Sequence, residues 1–525
     1  MPMRIFIADD EPGVLQEFQT FFELRGCSVI PAPSVERALS IIRDLSTPFD
    51  VAILDKVFPE EAQGGLHLLR EIRRLRPHVQ CMVVTAFPDV AASWQYMNMG
   101  AFTYEKRTDR KAILDLVTQA YALKEGVPFQ PDLGVSDMWA LAMPAGRDEL
   151  ALVRSPLPRY RGGEIVAKAR FLGVCGTDVG TFAGKSDNPN RDYPLIEFHE
   201  AVGEVVAKGA DVPDDLFALG DWVVPVVRRC QKWVREPGDA WDFHLWECDH
   251  WHDCPSRHHP DMCPRRPGYL SRGTGKYHGF GSQYFSDAAE HLIRVTPQQR
   301  EKLGRLCVLT EPLSVSWKAI REVERHRPFR RLRDQALIVG AGPIGLLCAA
   351  ILVKMYPGVG IAIADLGECP AKSDLVARNF AEAVRFIKVQ RGADWPKEIA
   401  QSRFDVSIDA SGDIADVFPK LCEVMNPESV IALLSVSDAR SRDATVSLKK
   451  KSFDGIVTSG IKIVGSVCAS RDDMENSLRF MHERCDPALL GDLVWPAPVC
   501  YDRAVAAIGC MERTREYIKI VVECE

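Results

Sequence analysis

The first residues able to do chemistry are carboxylates near the start of the chain. Asp9 and Asp10 follow one short apolar run, Asp55 follows another, and Thr85 and Lys106 come after two later candidate strands. The carboxyl ends of parallel strands collect functional side chains, so we expect these residues to meet. Three carboxylates brought together demand a cation, and their hard oxygen atoms suit Mg²⁺. Such a pocket can accept a phosphoryl group on a carboxylate while the metal and a lysine neutralise the developing charge.

A second set of residues could hold a softer metal. Cys175 precedes His199 and Glu200, and Glu311 comes much later in the chain. A catalytic zinc takes three protein ligands and keeps one open position, and one cysteine, one histidine and one glutamate satisfy this requirement. Each residue alone is weak evidence, because cysteine is commonly a small buried hydrophobe. Their conjunction predicts a catalytic zinc site.

A third set is rich in cysteine and histidine. Its cysteines are Cys230, Cys248, Cys254 and Cys263. Four thiolates form a closed tetrahedral zinc site that stabilises a loop otherwise too polar to pack. The spacing is looser than a compact C-x2-C ladder, so a histidine-rich surface loop with incidental thiols is the alternative. His250 or His252 could also replace Cys230 or Cys248 as a ligand.

A glycine-rich turn indicates a dinucleotide site. The turn reads Gly340, Ala341, Gly342, Pro343, Ile344, Gly345 and follows the apolar run 336–339. Glycines here allow a pyrophosphate to approach the amino terminus of a helix, where free N–H groups favour an anion. A second candidate strand ends in Asp365, twenty residues after Gly345. An acid at this place accepts hydrogen bonds from ribose hydroxyls and repels a 2′-phosphate, so NAD is favoured over NADP.

The elements that position these residues divide the chain into three units. Short apolar runs alternate with amphipathic stretches up to about residue 125, which predicts a βα-repeated unit with a parallel sheet. Residues 125–136 contain two prolines and two glycines and are predicted to be a linker. Glycine-rich, β-leaning sequence follows, and a second βα-repeated unit starts at Ala336. The predicted fold class is therefore α/β and multidomain.

Composition excludes several classes of function. The chain has 525 residues, 46% of them hydrophobic, and a formal net charge of −7. This length excludes a single small binding module, and the charge supplies no basic field for nucleic acid or anionic lipid. Residues 336–353 are uncharged, but their central glycines predict strand, turn and helix rather than a membrane span. No secretory signal is visible at the start, so we expect a cytoplasmic protein whose sixteen cysteines are mostly reduced.

The acidic unit resembles the receiver domain of bacterial response regulators over residues 1–124. The resemblance implies a flavodoxin-like fold in which Asp55 is phosphorylated, Asp9 and Asp10 hold Mg²⁺ with it, and Thr85 and Lys106 contact the phosphoryl group. It also implies a sensor histidine kinase as partner. The sequence departs from the family where Lys56, Val57 and Phe58 follow the aspartate and where Arg107 replaces a common proline.

The remainder resembles the zinc-dependent medium-chain alcohol dehydrogenases, most closely their polyol and glucose dehydrogenase branch. The matching motifs lie at 173–178, 199–200, 223–229, 277–280, 311–315, 340–345 and 465–467. The resemblance implies a GroES-like catalytic domain at 137–319, a Rossmann domain at 320–468 and a segment at 469–525 that completes the catalytic domain. It implies Cys175, His199 and Glu311 as zinc ligands, with Glu200 as an exchangeable or neighbouring carboxylate, and we expect a homo-oligomer.

Three positions depart from the pattern of that family, and two of them concern the substrate. Phe198 occupies the usual glycine before the histidine. Ser271 stands where glucose dehydrogenases tend to have glutamate, and Cys468 where they tend to have asparagine. Because both missing groups are sugar-contacting types, we expect a polyol, sugar or alcohol as substrate and do not expect glucose in particular.

The predicted reaction is oxidation of a hydroxyl group. Zinc polarises the substrate hydroxyl, a hydride passes to NAD⁺, and Thr177 relays the hydroxyl proton. Phosphorylation of Asp55 is expected to control the dehydrogenase in a phosphorelay. The alternative is a signalling protein whose dehydrogenase-like part senses a nucleotide or binds a partner without turnover. A transcription factor is disfavoured because no helix-turn-helix and no basic stripe follows the first unit.

Overall fold

The structure is a computed structural model of the chain. It describes residues 3–44, 46–61, 63–76, 79–85, 101–105, 113, 117, 127–129, 137–144, 150–182, 195–230, 269–274, 277–330, 333–367, 370–434, 446–495, 498–514 and 518–524.

The amino-terminal unit is built on a five-stranded parallel sheet of order β2-β1-β3-β4-β5. Its strands are β1 (Arg4–Ala8), β2 (Ser28–Ala32), β3 (Val51–Asp55), β4 (Gln80–Thr85) and β5 (Ala101–Glu105). Its described helices are Pro12–Glu23, Val35–Arg43 and Gly64–Leu75. Every residue of β3 is buried, as expected for the central strand of a sheet covered on both faces. Asp9 directly follows β1 and Asp55 ends β3, so both carboxylates lie at one edge of the sheet.

The predicted linker contains a short strand, β6 (Val127–Pro128). This strand pairs antiparallel with β9 (Arg159–Tyr160) of the next unit. The following residue, Phe129, is buried, donates its amide N–H to the Pro158 carbonyl at 2.9 Å and packs against the Tyr284 ring at 5.0 Å between centroids. The chain that leaves the first unit is therefore attached to the second unit by backbone pairing and an aromatic contact.

The middle unit is β-rich. Its strands are β7 (Asp137–Met143), β8 (Ala151–Pro156), β9, β10 (Glu164–Gly173), β11 (Leu195–Ile196), β12 (Glu200–Lys208), β13 (Trp222–Pro225), β14 (Arg228–Cys230), β15 (Tyr269–Ser271), β16 (Tyr284–Ala288) and β17 (Leu292–Val295). Its helices are Gly176–Phe182 and Pro297–Leu303, with 3-10 turns at Ala289–His291 and Gly304–Leu309. The largest sheet runs β17-β13-β12-β10-β25-β24, with β16 also paired to β10. Its strands β24 (Val499–Cys500) and β25 (Val521–Glu523) come from the last segment of the chain.

The third unit is a six-stranded parallel sheet of order β20-β19-β18-β21-β22-β23. Its strands are β18 (Gln335–Val339), β19 (Gly360–Asp365), β20 (Val384–Lys388), β21 (Phe404–Asp409), β22 (Met425–Leu433) and β23 (Lys462–Gly465). Its helices are Thr310–His326, Pro343–Met355, Pro370–Phe380, Lys397–Ala400, Ile414–Leu421 and Lys450–Thr458, with a 3-10 turn at Ala381–Ala383. The strand order reverses beside β18, and ligands bind at such a switch point in doubly wound sheets.

The last segment returns to the middle unit. Helix Arg471–Arg484 packs against helix Thr310–His326, where the Trp317 and Phe480 rings lie 5.4 Å apart. Helices Pro487–Asp492 and Ala504–Thr514 follow, with a 3-10 turn at Tyr501–Arg503. The final strands β24 (Val499–Cys500) and β25 (Val521–Glu523) join the sheet of the middle unit through β10.

These features confirm the α/β multidomain class. The uncharged segment 336–353 forms β18, a turn and helix Pro343–Met355, as its glycines predicted. Among the helices that the structure describes, none combines the length and the hydropathy that a bilayer crossing requires.

Candidate active site and receiver pocket

The candidate metal site lies where three neighbouring strands of the middle unit end. Gly173, the last residue of β10, pairs with Glu200 on β12 and with Val521 on β25. Cys175 follows β10 and His199 precedes β12, so both reach the same end of the sheet. A Cβ atom on Gly173 would lie 2.1 Å from Glu200 Oε2, so a larger residue there would displace this carboxylate oxygen. The sheet register therefore brings a thiol, an imidazole and a carboxylate together.

The donor atoms of Cys175, His199 and Glu200 all lie within 4.8 Å of one another. His199 and Glu200 are buried, while Cys175 is partly exposed. Glu200 Oε2 is buried and has no hydrogen-bond partner among the residues that the structure describes. A soft sulfur, a borderline nitrogen and an oxygen form a donor set typical of catalytic zinc, so these residues fit that ion.

Glu311, the third ligand expected from the family resemblance, is described but is not a member of this group. It sits in the first turn of helix Thr310–His326 and is buried. Burial raises the pKa of Glu311 to about 7, partly offset by the charge of His199. Glu311 is therefore near enough to His199 to interact with its charge. Glu200, by contrast, already lies within reach of the donor atoms of Cys175 and His199.

The site carries an excess of acidic groups. Burial raises the pKa of Asp178 to about 6, and burial also raises the pKa of Glu197 well above its usual value. Burial alone would lower the pKa of His199, but the charges of Cys175 and Glu311 outweigh it and raise that pKa well above its usual value. Such a negative potential favours a bound cation.

Lys519 supplies a positive charge next to this group. It precedes β25, is buried, and its Nζ donates to Glu200 Oε1. Sequence reasoning missed Lys519, although the predicted return of the segment 469–525 to the catalytic domain was a signal that could have pointed to it. The last segment thus contributes a side chain to the site as well as a strand.

Thr177, the expected proton relay, lies beside the thiol and is exposed. Its Oγ1 is 3.8 Å from Cys175 Sγ. Asp178 is held by a different contact, because its Oδ2 accepts the Cys175 amide N–H at 2.7 Å. The turn that begins helix Gly176–Phe182 therefore fixes the backbone of Cys175 and leaves the Thr177 hydroxyl open to solvent.

Phe198 has a backbone conformation that explains why glycine is usual before the histidine. Its φ is 70°, in the left-handed region that L residues with a side chain rarely adopt. The ring is fully buried in the core of the middle unit. Packing of the ring therefore holds a conformation that the backbone alone disfavours.

The dinucleotide turn has the geometry that its glycines predicted. Gly340 has a φ of 101°, and a Cβ atom on Gly345 would lie 1.9 Å from the Gly340 carbonyl oxygen. Gly342 is the N-cap residue of helix Pro343–Met355, with Pro343 and Ile344 in its first turn. The amino terminus of this helix therefore lies next to β18, at the carboxyl edge of the sheet, where an anion would be favoured.

Asp365 ends β19 and lines a pocket together with Gly340. Its Oδ2 accepts the Ala341 amide N–H at 2.8 Å and its Oδ1 accepts the Gly367 amide N–H at 3.2 Å. Lys372 Nζ lies 3.3 Å from Oδ2. Arg391 and Lys420 line the same pocket, and they form ion pairs with Asp413 and Asp416 respectively. The pocket fits an adenosine moiety beside the glycine turn.

In the receiver pocket, the carboxylate oxygens of Asp9, Asp10 and Asp55 lie within 4.8 Å of one another. Asp9 and Asp55 are buried; Asp9 Oδ1 accepts the Glu11 amide N–H at 2.9 Å and Asp55 Oδ1 accepts the Lys56 amide N–H at 2.7 Å. Because three carboxylates grouped this closely offer the oxygen ligands that a hard cation prefers, the cluster fits Mg²⁺.

Several predicted site residues lie wholly or partly outside the described residues. Thr85 ends β4 next to β3, but its side chain is not described. Lys106, Cys248, Cys254 and Cys263 lie outside the described residues, as do His250 and His252. Cys230 ends β14, without a described side chain. The structural zinc site therefore stays a prediction.

Comparison with known proteins agrees with this geometry. Three family models match the chain: the response regulator receiver domain at residues 5–118, the alcohol dehydrogenase GroES-like domain at 161–297 and the glucose dehydrogenase C-terminus at 304–524. Glucose 1-dehydrogenase of Thermoproteus tenax is 31% identical over 357 residues, which cover 65% of this chain and 87% of that protein. The chain belongs to the glucose dehydrogenase family of zinc-dependent medium-chain alcohol dehydrogenases, and it carries a receiver domain in addition.

Solved structures of glucose dehydrogenases have the same fold as residues after the receiver domain. The glucose dehydrogenase of Haloferax mediterranei is 25% identical, with a TM-score of 0.58 over 74% of this chain and 99% of that one. Another structure of the Haloferax enzyme, in complex with NADP, Zn and gluconolactone, is 24% identical and has a TM-score of 0.58 over 74% of this chain and 99% of that one. The chain is thus an oxidoreductase of the medium-chain alcohol dehydrogenase type.

Proposed function

We propose that this protein oxidises a hydroxyl group of a sugar, polyol or alcohol with NAD⁺, using zinc held by Cys175 and His199. The observation that carries the proposal is the grouping of Cys175, His199 and Glu200 within 4.8 Å of one another. Membership of the glucose dehydrogenase family supports the choice of substrate class.

In this proposal, residues of the chain relay the proton of the substrate hydroxyl and bind the cofactor. Zinc in this site supplies a Lewis acid that lowers the pKa of a substrate hydroxyl. Thr177, exposed and 3.8 Å from the Cys175 sulfur, accepts the hydroxyl proton and passes it to solvent. Oxidation of the carbon that bears this hydroxyl would transfer a hydride to the nicotinamide, giving a carbonyl compound, NADH and a proton. Gly340, Gly342 and Gly345 would hold the pyrophosphate of the cofactor against the helix amino terminus.

Two carboxylates compete for the third ligand position in this proposal. Glu311 is the ligand that the family resemblance implies, and Glu200 is the one within reach of the sulfur and the imidazole. Because Lys519 binds one oxygen of Glu200 and the other is unpartnered among the described residues, Glu200 is suited to act as the exchangeable carboxylate. Glu311→Gln should then remove more zinc than Glu200→Gln.

We propose a sugar or polyol other than glucose as the preferred substrate. Cys468 is where the family resemblance places a sugar-contacting asparagine, and its φ of 54° holds the thiol in a left-handed turn. Burial raises the pKa of Cys468, so the side chain is a neutral thiol, which donates hydrogen bonds weakly. A smaller or less polar hydroxyl compound suits such a group better than glucose does.

The experiment is a substrate screen combined with metal analysis of the full chain. Aldoses, polyols and simple alcohols are tested with NAD⁺ and NADP⁺, and zinc per chain is measured in the unmodified protein and in Cys175→Ala. We expect NADH formation, and Cys175→Ala should lose both the activity and one zinc ion. Cys500→Ala, at an exposed cysteine, is the matched control and should retain both. No turnover of any compound by the zinc-loaded protein would refute the proposal.

We further propose that phosphorylation of Asp55 regulates the dehydrogenase. The support is the fusion itself together with the attachment of Val127–Pro128 to β9 and of Phe129 to Tyr284. A change of the receiver domain on phosphorylation can then act on β9 and, through the contact of Phe129 with Tyr284, on strand β16, which pairs with β10. Turnover with and without acetyl phosphate, repeated in Asp55→Ala, tests this. Equal rates under all conditions would contradict it.

A further inference from the structure

Arg272 is the largest fully buried side chain of the described residues, with 1% of its surface exposed. Its guanidinium group donates in several directions. Nε donates to the His278 carbonyl at 2.8 Å and Nη2 to the Gly279 carbonyl at 3.2 Å. Nη1 donates to the Ser286 carbonyl and to Asp287 Oδ2, both at 3.0 Å. One side chain thus links residues 278–279 to strand β16.

The buried charge is balanced by Asp287, which is fully buried, and the guanidinium carbon lies 4.4 Å from the centre of the Phe280 ring. This arrangement needs the planar fork of arginine, because a lysine ammonium cannot donate to four acceptors in these directions or stack on a ring. A buried ion pair contributes little net stability compared with apolar packing. We therefore look for the role of Arg272 in the residues that its guanidinium group positions.

The segment that Arg272 holds lies along the residues that precede His199. Three of its amides donate to three consecutive carbonyls there: Gly279 to Ile196 at 2.7 Å, Phe280 to Phe198 at 2.8 Å and Gly281 to Glu197 at 2.9 Å. The approach is close, since a Cβ atom on Gly279 would lie 2.2 Å from the Phe198 carbonyl oxygen. Residues 279–281 thus hold the left-handed backbone of Phe198 in place, and Arg272 holds these residues through Gly279.

The other end of the same segment reaches the imidazole. His199 Nδ1 lies 3.3 Å from the carbonyl oxygen of Gly273, the residue after Arg272. A carbonyl oxygen can only accept, so a neutral His199 carries its proton on Nδ1 and offers the lone pair of Nε2 to a metal. Partners of this kind orient metal-binding histidines and set their tautomer.

We propose that Arg272 is a positioning residue of the metal site: its guanidinium fixes residues 278–281 and its own backbone beside Gly273, and these residues set the tautomer and the ring orientation of His199. This inference rests on the proposed zinc site at Cys175 and His199. Arg272 itself does not touch the metal or the substrate in this scheme. Its loss should therefore alter how zinc is held, beyond any effect on stability.

The test compares Arg272→Lys with Arg327→Lys in the full chain. Arg327 is the matched control, because its two terminal nitrogens bind both oxygens of buried Asp334, at 2.8 and 2.9 Å, away from the metal site. Zinc dissociation is measured with a chromogenic chelator, and the coordination geometry is read from the visible absorption spectrum after replacement of zinc by Co²⁺. Thermal unfolding is recorded for both variants.

We expect Arg272→Lys to bind zinc about 10- to 100-fold more weakly and to show a changed Co²⁺ spectrum, whereas Arg327→Lys retains both properties. If Arg272→Lys does not fold, Asp287→Asn is used instead. It should also weaken zinc binding and change the Co²⁺ spectrum, but to a smaller extent. Zinc affinity and a spectrum equal to those of the control would overturn the role of Arg272. An unmodified protein that binds no zinc at this site would instead overturn the proposed function.

Discussion

Lys519 and Glu200 form a buried ion pair across 319 positions of sequence. The two side chains are 2% and 1% exposed, and the carboxylate belongs to the group that could hold zinc. The charges of Glu200 and Cys175 raise the pKa of Lys519 against the effect of its burial, so the ammonium stays charged at neutral pH. The last residues of the chain thereby control the charge of the metal site.

Replacing Lys519 by methionine should destabilise the dehydrogenase part. The change leaves the Glu200 carboxylate buried without its counter-charge, which costs about 3 kcal/mol. For domains of this size we expect the midpoint of thermal unfolding to fall by roughly 10 °C, measured by calorimetry in the presence of a chelator. Lys462→Met is the control, because its pair with Glu428 is solvent-exposed and contributes at most about 1 kcal/mol. Equal midpoints in the two variants would contradict the prediction.

At position 198 we expect glycine to be tolerated better than alanine. Both substitutions remove the buried ring, but only glycine relieves the left-handed backbone, which costs an L residue roughly 1 kcal/mol. Phe198→Gly should therefore be about 1 kcal/mol more stable than Phe198→Ala in urea unfolding. Phe285 is fully buried in the regular strand β16 and gives the control pair, in which alanine should be the more stable. If the alanine variant is more stable than the glycine variant at both positions, Phe198 carries no backbone strain.

Asp55→Asn should abolish phosphorylation of the receiver domain. The full chain is incubated with acetyl phosphate and Mg²⁺, and the gain of one phosphoryl group is followed by intact mass. Removal of Mg²⁺ should have the same effect as the substitution, because Asp9 and Asp10 then lack the ion that neutralises the incoming group. Asp44→Asn is the control, since Asp44 only accepts hydrogen bonds from Ser46 and Thr47 in a turn. Phosphorylation of Asp55→Asn at the level of the control would exclude Asp55 as the acceptor.

Asp365→Asn should shift cofactor preference toward NADP. The substitution removes the negative charge that repels a 2′-phosphate and leaves Lys372 and Arg391 in the same pocket. We expect the ratio of kcat/KM for NADP⁺ to that for NAD⁺ to rise about tenfold or more. Asp454→Asn, on an exposed part of helix Lys450–Thr458, should leave the ratio unchanged. An unchanged ratio in Asp365→Asn would mean that other residues discriminate between NAD⁺ and NADP⁺.

Local patterns were sufficient to predict much of the fold and parts of both pockets. Strands such as Val51–Asp55 and the glycine turn at 340–345 are specified by short-range periodicity and by backbone conformations that only glycine adopts readily. Asp9, Asp10 and Asp55 could be placed together because parallel strands end at one edge.

Other features depend on contacts between residues far apart in sequence. Lys519 meets Glu200 only because β25 and β12 flank β10, and this order has no signal in local sequence. Arg272 looks like any surface arginine until the acceptors around it are known. The strand at Val127–Pro128 was missed because proline and glycine in the surrounding stretch indicate a loop, whereas its partner strand lies about thirty residues later.

The pairing of Val127–Pro128 with Arg159–Tyr160 changes where this protein can be divided. A truncation that begins at residue 137 would remove a strand and the buried Phe129 ring along with the receiver domain. Transplanting the dehydrogenase to another input domain therefore requires a junction before Val127. The residues that join the receiver domain to the dehydrogenase are thus a part of the dehydrogenase structure itself.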